Sequence, residues 1–183
     1  MNLKALILAK SKSNRLPNKN TLPIDGKPMF LINVEKCLSL FDEVYVSSDS
    51  WDILKQALLA DARPIKRGEE LCGDTPNIPV YQHALKFMKD VDGIVAVQAN
   101  SPNIKTEVIK KCKEYLEQGY QEVMTCYDEN PDNKVYGSVW AITKERLLNY
   151  GDPYKPNPDM LVNDESIDIH TIEDYNKVNK LFT

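Results

Sequence analysis

Apolar positions along this chain fall into short continuous runs that alternate with stretches of helical spacing. Leu3 to Ala9 (L-K-A-L-I-L-A) is a run suited to a strand buried on both faces. Met29, Phe30, Ile32, Val34, Cys37 and Leu38 then recur at helical spacing, predicting a helix over 29–40. Glu43 to Ser48 reads as a strand, Trp51 to Ala60 as a helix capped by Ser50, and Ala62 to Ile65 as a short strand. Thr75 followed by Pro76 reads as a cap with proline at the first helical position, opening a helix to about Lys89. Gly93 to Gln98 is a second buried strand, Ile104 to Gln118 an amphipathic helix, and Glu122 to Cys126 a strand. Gly137 to Ile142 continues the strands and leads into a short helix over 144–148. Gly151 to Pro158 (G-D-P-Y-K-P-N-P) is too rich in proline for a helix or central strand. Thr171 caps a last helix, with Asp174 as the shorter partner of a capping box. This βαβ alternation predicts an α/β three-layer sandwich around a mostly parallel sheet.

Composition narrows the picture. A chain of 183 residues is expected to form one domain with a full core. Its 23 Lys+Arg against 27 Asp+Glu, with 42% hydrophobic residues, argue against disorder and against a general nucleic-acid binder. Cys37, Cys72, Cys112 and Cys126 are scattered without a C-x-x-C pair, which favours buried free thiols over disulfides or a zinc site. No apolar run reaches the ~18 residues of a membrane span. The N-terminus reads as the first core strand rather than a leader, and a reducing cytoplasm is the expected setting.

Charge is unevenly placed. Lys10, Lys12, Arg15 and Lys19 fall just after the first strand of an acidic chain. Parallel α/β sheets bind ligands at the carboxyl ends of their strands. Cations there suit a polyanion, a nucleoside triphosphate being the obvious one. The alternative is a solvated loop whose cations serve solubility.

Five sequence blocks carry a resemblance. The first reads L-A-K-x-x-S-N-R-L-P-N-K-N followed by D-G-K-P-M, with Ser13, Arg15, Leu16, Pro17, Lys19, Asn20, Gly26, Lys27 and Pro28 in matching positions. V-Y-V-S-S-D (44–49), R-G-E-E-L-C-G-D-T (67–75), V-Q-A-N-S-P (97–102) and S-I-D-I-H-T-I-E-D (166–174) follow in order. Together the blocks resemble the sugar-acid cytidylyltransferases, most of all the acylneuraminate branch, with the 3-deoxy-manno-octulosonate branch a near relative.

That resemblance implies a nucleotide-diphospho-sugar transferase fold of the GT-A, Rossmann-like type. It also implies CTP, an acidic sugar and Mg2+ as reactants and cofactor. It places Lys10, Ser13, Arg15, Lys19, Asn20 and Asp49 at the nucleotide, with Arg15, Lys19 and Asp168 in catalytic roles. Gln98, Asn100 and Ser101 fall where the family meets its sugar. Asp168 matches the first metal-binding aspartate of the family's D-I-D-T, whereas His170 replaces the second. Lys10 stands where the family has arginine, and Asn18 where it has glycine, a substitution asparagine can bear because it tolerates positive φ. For G-D-T (73–75), helix capping explains the residues nearly as well as a site does.

The family's long dimerisation arm has only Tyr127 to Tyr136 in its place here, which implies a monomer or a dimer on another face. It also opens an alternative, a cytidylyltransferase for a smaller acid or phosphonate acceptor, while the departures at His170 and Lys10 open another, a non-catalytic nucleotide-binding homologue.

Overall fold

The structure, a computed structural model, describes residues 1–127 and 135–183, with the backbone alone described at 135 and 136. The short Tyr127–Tyr136 connection, on which the expectation of a missing arm rests, lies largely outside the described residues.

Nine strands and six helices are described: β1 (Leu3–Leu8), β2 (Pro23–Ile24), β3 (Lys27–Pro28), α1 (Met29–Leu38), β4 (Val44–Ser48), α2 (Trp51–Leu59), β5 (Arg63–Lys66), α3 (Asn77–Leu85), β6 (Gly93–Gln98), α4 (Thr106–Glu117), β7 (Glu122–Cys126), β8 (Val135–Thr143), α5 (Lys144–Leu148), β9 (Met160–Asn163) and α6 (Ile172–Asn179). Seven strands make one sheet in the order β5-β4-β1-β6-β8-β7-β9. β8 runs antiparallel to both its neighbours, β6 and β7, while the other pairs are parallel. The expected mostly parallel α/β sheet is what the chain forms.

The apolar runs become strands because both faces of the sheet are covered. Along β1, Leu3, Ala5 and Ile7 pack into a core with Phe30 and Val34 of α1, Ile53 of α2 and Ile109 of α4. Leu6 points the other way, into a second core with Ile78 and Tyr81 of α3 and Leu147 of α5. Fully burying each such side chain contributes about 1.5–3 kcal/mol, so a one-residue slip of register would be strongly opposed. A third, smaller cluster of Leu16, Ile24, Met29, Ile32, Ile169 and Val178 lies at the site end. It clamps the loop after β1 to the segment before α6.

Local chemistry sets the boundaries. Ser50 caps α2 by accepting from Ile53 N, and Thr171 with Asp174 forms a complete capping box on α6, both as expected. Asp25 and Gly26, both at positive φ, make the two-residue turn between β2 and β3. Asn18 sits at φ 54°, a left-handed conformation that asparagine tolerates better than most residues.

Three expectations need correction. Thr75 does not cap α3; its hydroxyl donates to the Glu70 carbonyl, Pro76 takes the cap position, and the helix ends at Leu85 rather than near Lys89. α4 begins at Thr106 rather than Ile104, which the first core buries instead. β9 was not expected: four residues after a proline-rich loop show no alternation, yet they pair along β7 and extend the sheet. Among the described residues no helix is long and apolar enough to cross a membrane, and Cys37, Cys72 and Cys112 are free thiols.

Candidate active site

The loop that follows β1 is pinned at three points. The Ser11 amide and hydroxyl both donate to the Asp49 carboxylate, at 2.8 and 2.6 Å, tying the loop to the end of β4. Burial works to raise the Asp49 carboxyl, but the two Ser11 bonds and nearby Arg67 outweigh it and hold it below its ordinary value. Asn20, itself buried, donates to the Lys10 carbonyl at 3.0 Å, closing the loop on itself. Leu16 anchors the tip in the third core cluster.

So held, the loop places Lys10, Lys19 and Asn20 on the wall of a cavity of about 300 Å³. Its other walls include Arg67, Gln98, Asn100, Asp168 and His170, with Gly137 of β8 beside them. The cavity lies at the carboxyl ends of β1 and β6, where a parallel sheet offers its loops. Lys10 and Lys19 form no ion pair among the described residues. Burial pushes the Lys19 ammonium below its usual range, and the repulsion of Lys10 and Arg15 adds to this against the pull of Asp168 and Asp174. A partly desolvated cation without a close counter-ion is poised for an anion from outside.

Asp168 lines the same cavity and sits within a chain of hydrogen bonds. Ser101 Oγ donates to its Oδ1 at 3.2 Å, and His170 Nε2 lies 2.9 Å from its Oδ2. On the other side of the imidazole, Arg15 Nη2 lies 3.0 Å from Nδ1. A guanidinium can only donate, so Nδ1 accepts, and the ring proton falls on Nε2, directed at Asp168. Arg15 is therefore joined to Asp168 through a neutral-type imidazole.

The structure thus gathers Lys10, Lys19, Asn20, Gln98, Asn100, Asp168 and His170 around one cavity. Other expected residues are placed differently. Ser101 does not face the cavity; it is fully buried, and its hydroxyl is turned onto Asp168. His170 does not offer a free nitrogen to a metal, because Arg15 and Asp168 occupy both. Asp49 lines a neighbouring cavity of about 280 Å³ with Lys10 and Lys12, its carboxylate taken by Ser11. Ser13 is half-exposed and lines neither cavity, while exposed Arg15 reaches the site through His170.

One residue escaped the reading by charge. Arg67 follows β5 directly and is only 4% exposed, with Nε lacking a hydrogen-bond partner among the described residues. Burial lowers its pKa, only partly offset by the Cys72 sulfur beside it and by Asp49. Arg67 lines the cavity without an ion pair among the described residues, so its guanidinium can meet an anionic ligand there. Its one sequence signal was its place at the head of the R-G-E-E block.

Comparison with known proteins adds an independent line. A family model described as cytidylyltransferase matches residues 4–150. The CMP-N,N'-diacetyllegionaminic acid synthase of Legionella pneumophila is 30% identical, over 99% of this chain and 96% of that protein. That alignment runs over 226 positions against 183 residues here, so the relative carries residues with no counterpart in this chain. A pseudaminic acid cytidylyltransferase of Campylobacter jejuni is 27% identical over 72% of this chain and 65% of its own length. Among solved structures, a CMP:2-keto-3-deoxy-manno-octonic acid synthetase complexed with CTP superposes with a TM-score of 0.79, covering 99% of this chain and 98% of that one. Their 16% identity makes this a likeness of fold.

Proposed function

The chain belongs to the cytidylyltransferase family, and from that premise we propose that it is an enzyme coupling CTP to an acidic nonulosonate sugar of the sialic-acid kind. The products are the CMP-sugar and pyrophosphate. The observation that carries this reading is the meeting of unpaired Lys10 and Lys19 with Asp168 on one cavity at the carboxyl ends of β1 and β6.

In this reading the acceptor hydroxyl attacks the α-phosphorus of CTP. Its oxygen bonds to phosphorus as its proton passes to solvent, the bond to the oxygen bridging the α- and β-phosphates breaks, and pyrophosphate leaves with that electron pair. Charge grows on the leaving phosphates, and Lys10 and Lys19 are the cations assigned to take it up, with Arg15 behind them through His170. Lys19 does so from a partly desolvated position, where the interaction is stronger than at an open surface. Arg67 and Asn20 are assigned to the nucleotide, and Gln98 and Asn100, at the end of β6, to the sugar.

The donor set fits a divalent cation. Asp168 lines the cavity, and each of its oxygens keeps a lone pair after accepting from Ser101 or His170. Magnesium is commonly held by one or two carboxylates together with phosphate oxygens and water. Asp168 would hold it, and the bound ion would offset phosphate charge. His170 is left to orient Arg15 and Asp168.

A test is pyrophosphate release from CTP and magnesium with a panel of acceptors, including legionaminic, pseudaminic and N-acetylneuraminic acids and 3-deoxy-manno-octulosonic acid. Release with one or more of the nonulosonic acids supports the reading; release with the octulosonic acid alone, or no release with any despite saturating CTP, contradicts it. A second reading, transfer to a smaller acid or phosphonate, draws on the relative's unmatched residues, which leave this chain less material to surround a large sugar. Release with a phosphonate alone would select it. CTP binding without release under any condition would indicate a non-catalytic nucleotide binder.

A further inference from the structure

The turn between β6 and α4, residues 98–104, has two sides. On the site side it presents Gln98 and Asn100 to the cavity and sends Ser101 Oγ to Asp168. It also carries the segment in which Asp168 sits: Ile169 N donates to the Asn100 carbonyl at 2.8 Å, Asn100 Nδ2 returns a bond to Ile169 O, and Ile167 N donates to Asn103 Oδ1 at 2.9 Å. Residues 167 and 169 are thereby located by the turn, with Asp168 between them.

On its far side the turn is bolted to α1. Asn33 is fully buried, and its Nδ2 donates to both the Gln98 carbonyl at 2.8 Å and the Ser101 carbonyl at 3.0 Å. One helical turn on, Lys36 Nζ donates to the carbonyls of Pro102 and Ile104, at 2.5 and 2.7 Å. Two side chains of one helix therefore collect four carbonyls of the turn. Asn33 Oδ1 has no partner among the described residues, so the buried amide is explained by its donors alone. A residue kept only for core volume would be apolar at such a position.

We infer that Asn33, seconded by Lys36, is a positioning residue for the nucleotidyl-transfer site: it sets the turn, and through the turn the carboxylate of Asp168. The inference rests on the proposed function for its catalytic consequence, but its mechanical part stands without it. Outer-shell partners of metal-binding groups typically change metal affinity or activity by about 10–100-fold when removed. Lys10 and Lys19 belong to a loop anchored by Ser11 and Asp49, and the hydrogen bonds of Asn33 and Lys36 go to the turn rather than to either cation. Loss of Asn33 is therefore directed at the Asp168 side of the site rather than at the cations.

The test compares wild type with Asn33→Leu, which keeps comparable volume without donors, and Lys36→Met, which keeps an apolar stem. The amides of Ile167 and Ile169 are followed by hydrogen exchange in the ligand-free protein. The magnesium concentration for half-maximal pyrophosphate release and the KM for CTP are then measured. Asn33→Leu is expected to speed exchange at Ile167 and Ile169 while β1 and β6 stay protected. The magnesium requirement is expected to rise by about tenfold or more, with a smaller change in KM for CTP. Lys36→Met should shift both readouts the same way by less, and it serves as the test should Asn33→Leu fail to fold. Folded variants with wild-type exchange at both isoleucines, or with an unchanged magnesium requirement in an active enzyme, would overturn the inference. Should wild type itself release no pyrophosphate with any acceptor, the proposed function fails, and the exchange comparison still decides whether Asn33 positions the Asp168 segment.

Discussion

At the amino end of β7, Glu122 is fully buried and accepts from Trp140 Nε1 at 3.0 Å, Tyr150 Oη at 2.6 Å and Arg146 Nε at 3.2 Å. Arg146 is in turn completed by the Asn157 carbonyl, and burial together with Glu122 pushes the Tyr150 hydroxyl's pKa well up. At the opposite end of the sheet, Asp168 accepts from two neutral donors on its protein side and opens on a cavity lined by Lys10, Lys19 and Arg67. The contrast holds for the arginines too: Arg146 has a buried carboxylate, while Arg67 is more deeply buried and has none among the described residues. Polar groups saturated within the chain hold the fold. Lys10, Lys19 and Arg67, on the cavity wall, have no ion pair among the described residues.

The comparison breaks most visibly if the two carboxylates turn out to do the same work. Asp168→Asn keeps the side chain's shape and removes its charge, so activity should fall below detection with little change in melting temperature. Lys19→Ala should lower turnover by about 10²–10³, the usual cost of removing a group that stabilises transition-state charge. Steady-state kinetics beside thermal melts checks both; equal activity in either variant would return that residue to the surface chemistry of an ordinary loop. Glu122→Leu should do the reverse. It leaves an indole N–H, a phenol and a guanidinium without their acceptor, at a cost of about 3 kcal/mol in urea unfolding. Turnover per folded molecule should stay near the wild-type value.

Smaller effects sharpen the picture. His170→Asp supplies a second carboxylate beside Asp168, so the magnesium concentration for half activity should drop. An inactive enzyme would instead show that the imidazole bridge to Arg15 is indispensable. The smallest effect concerns pH. Asp49 is held below its ordinary 3.8 in the folded protein, so it contributes stability above that value and loses it as pH falls through the folded pKa. In melts between pH 5 and pH 3, wild type should therefore lose more stability than Asp49→Asn.

Much of this arrangement was legible in the residues. The runs of β1, β4 and β6 were readable because both faces of the sheet are covered, and Lys10, Lys19 and Asp168 stood out by charge and motif. β9 was hidden because M-L-V-N after a proline-rich loop has no period, and pairing with β7 supplies what propensity does not. Ser101 was legible as a strand-end polar residue but not in its direction, which the turn at 98–104 decides. Arg67 and Asn33 carried no local sign that the fold would bury them, one with an orphaned donor and the other with an orphaned acceptor. The Arg15–His170 bond joins residues 155 positions apart and follows only from the third core cluster bringing their segments together.

The central claim is that the under-partnered groups at the carboxyl ends of β1 and β6 perform cytidylyl transfer. Phosphorus NMR of CTP, magnesium and the acceptor panel with the wild-type protein tests it most directly. The account predicts that the three triphosphate resonances give way, only when an acidic acceptor is present, to one pyrophosphate signal and one phosphodiester signal in equal molar amounts. Unchanged CTP with every acceptor, or hydrolysis to CMP or CDP without a phosphodiester, would contradict it.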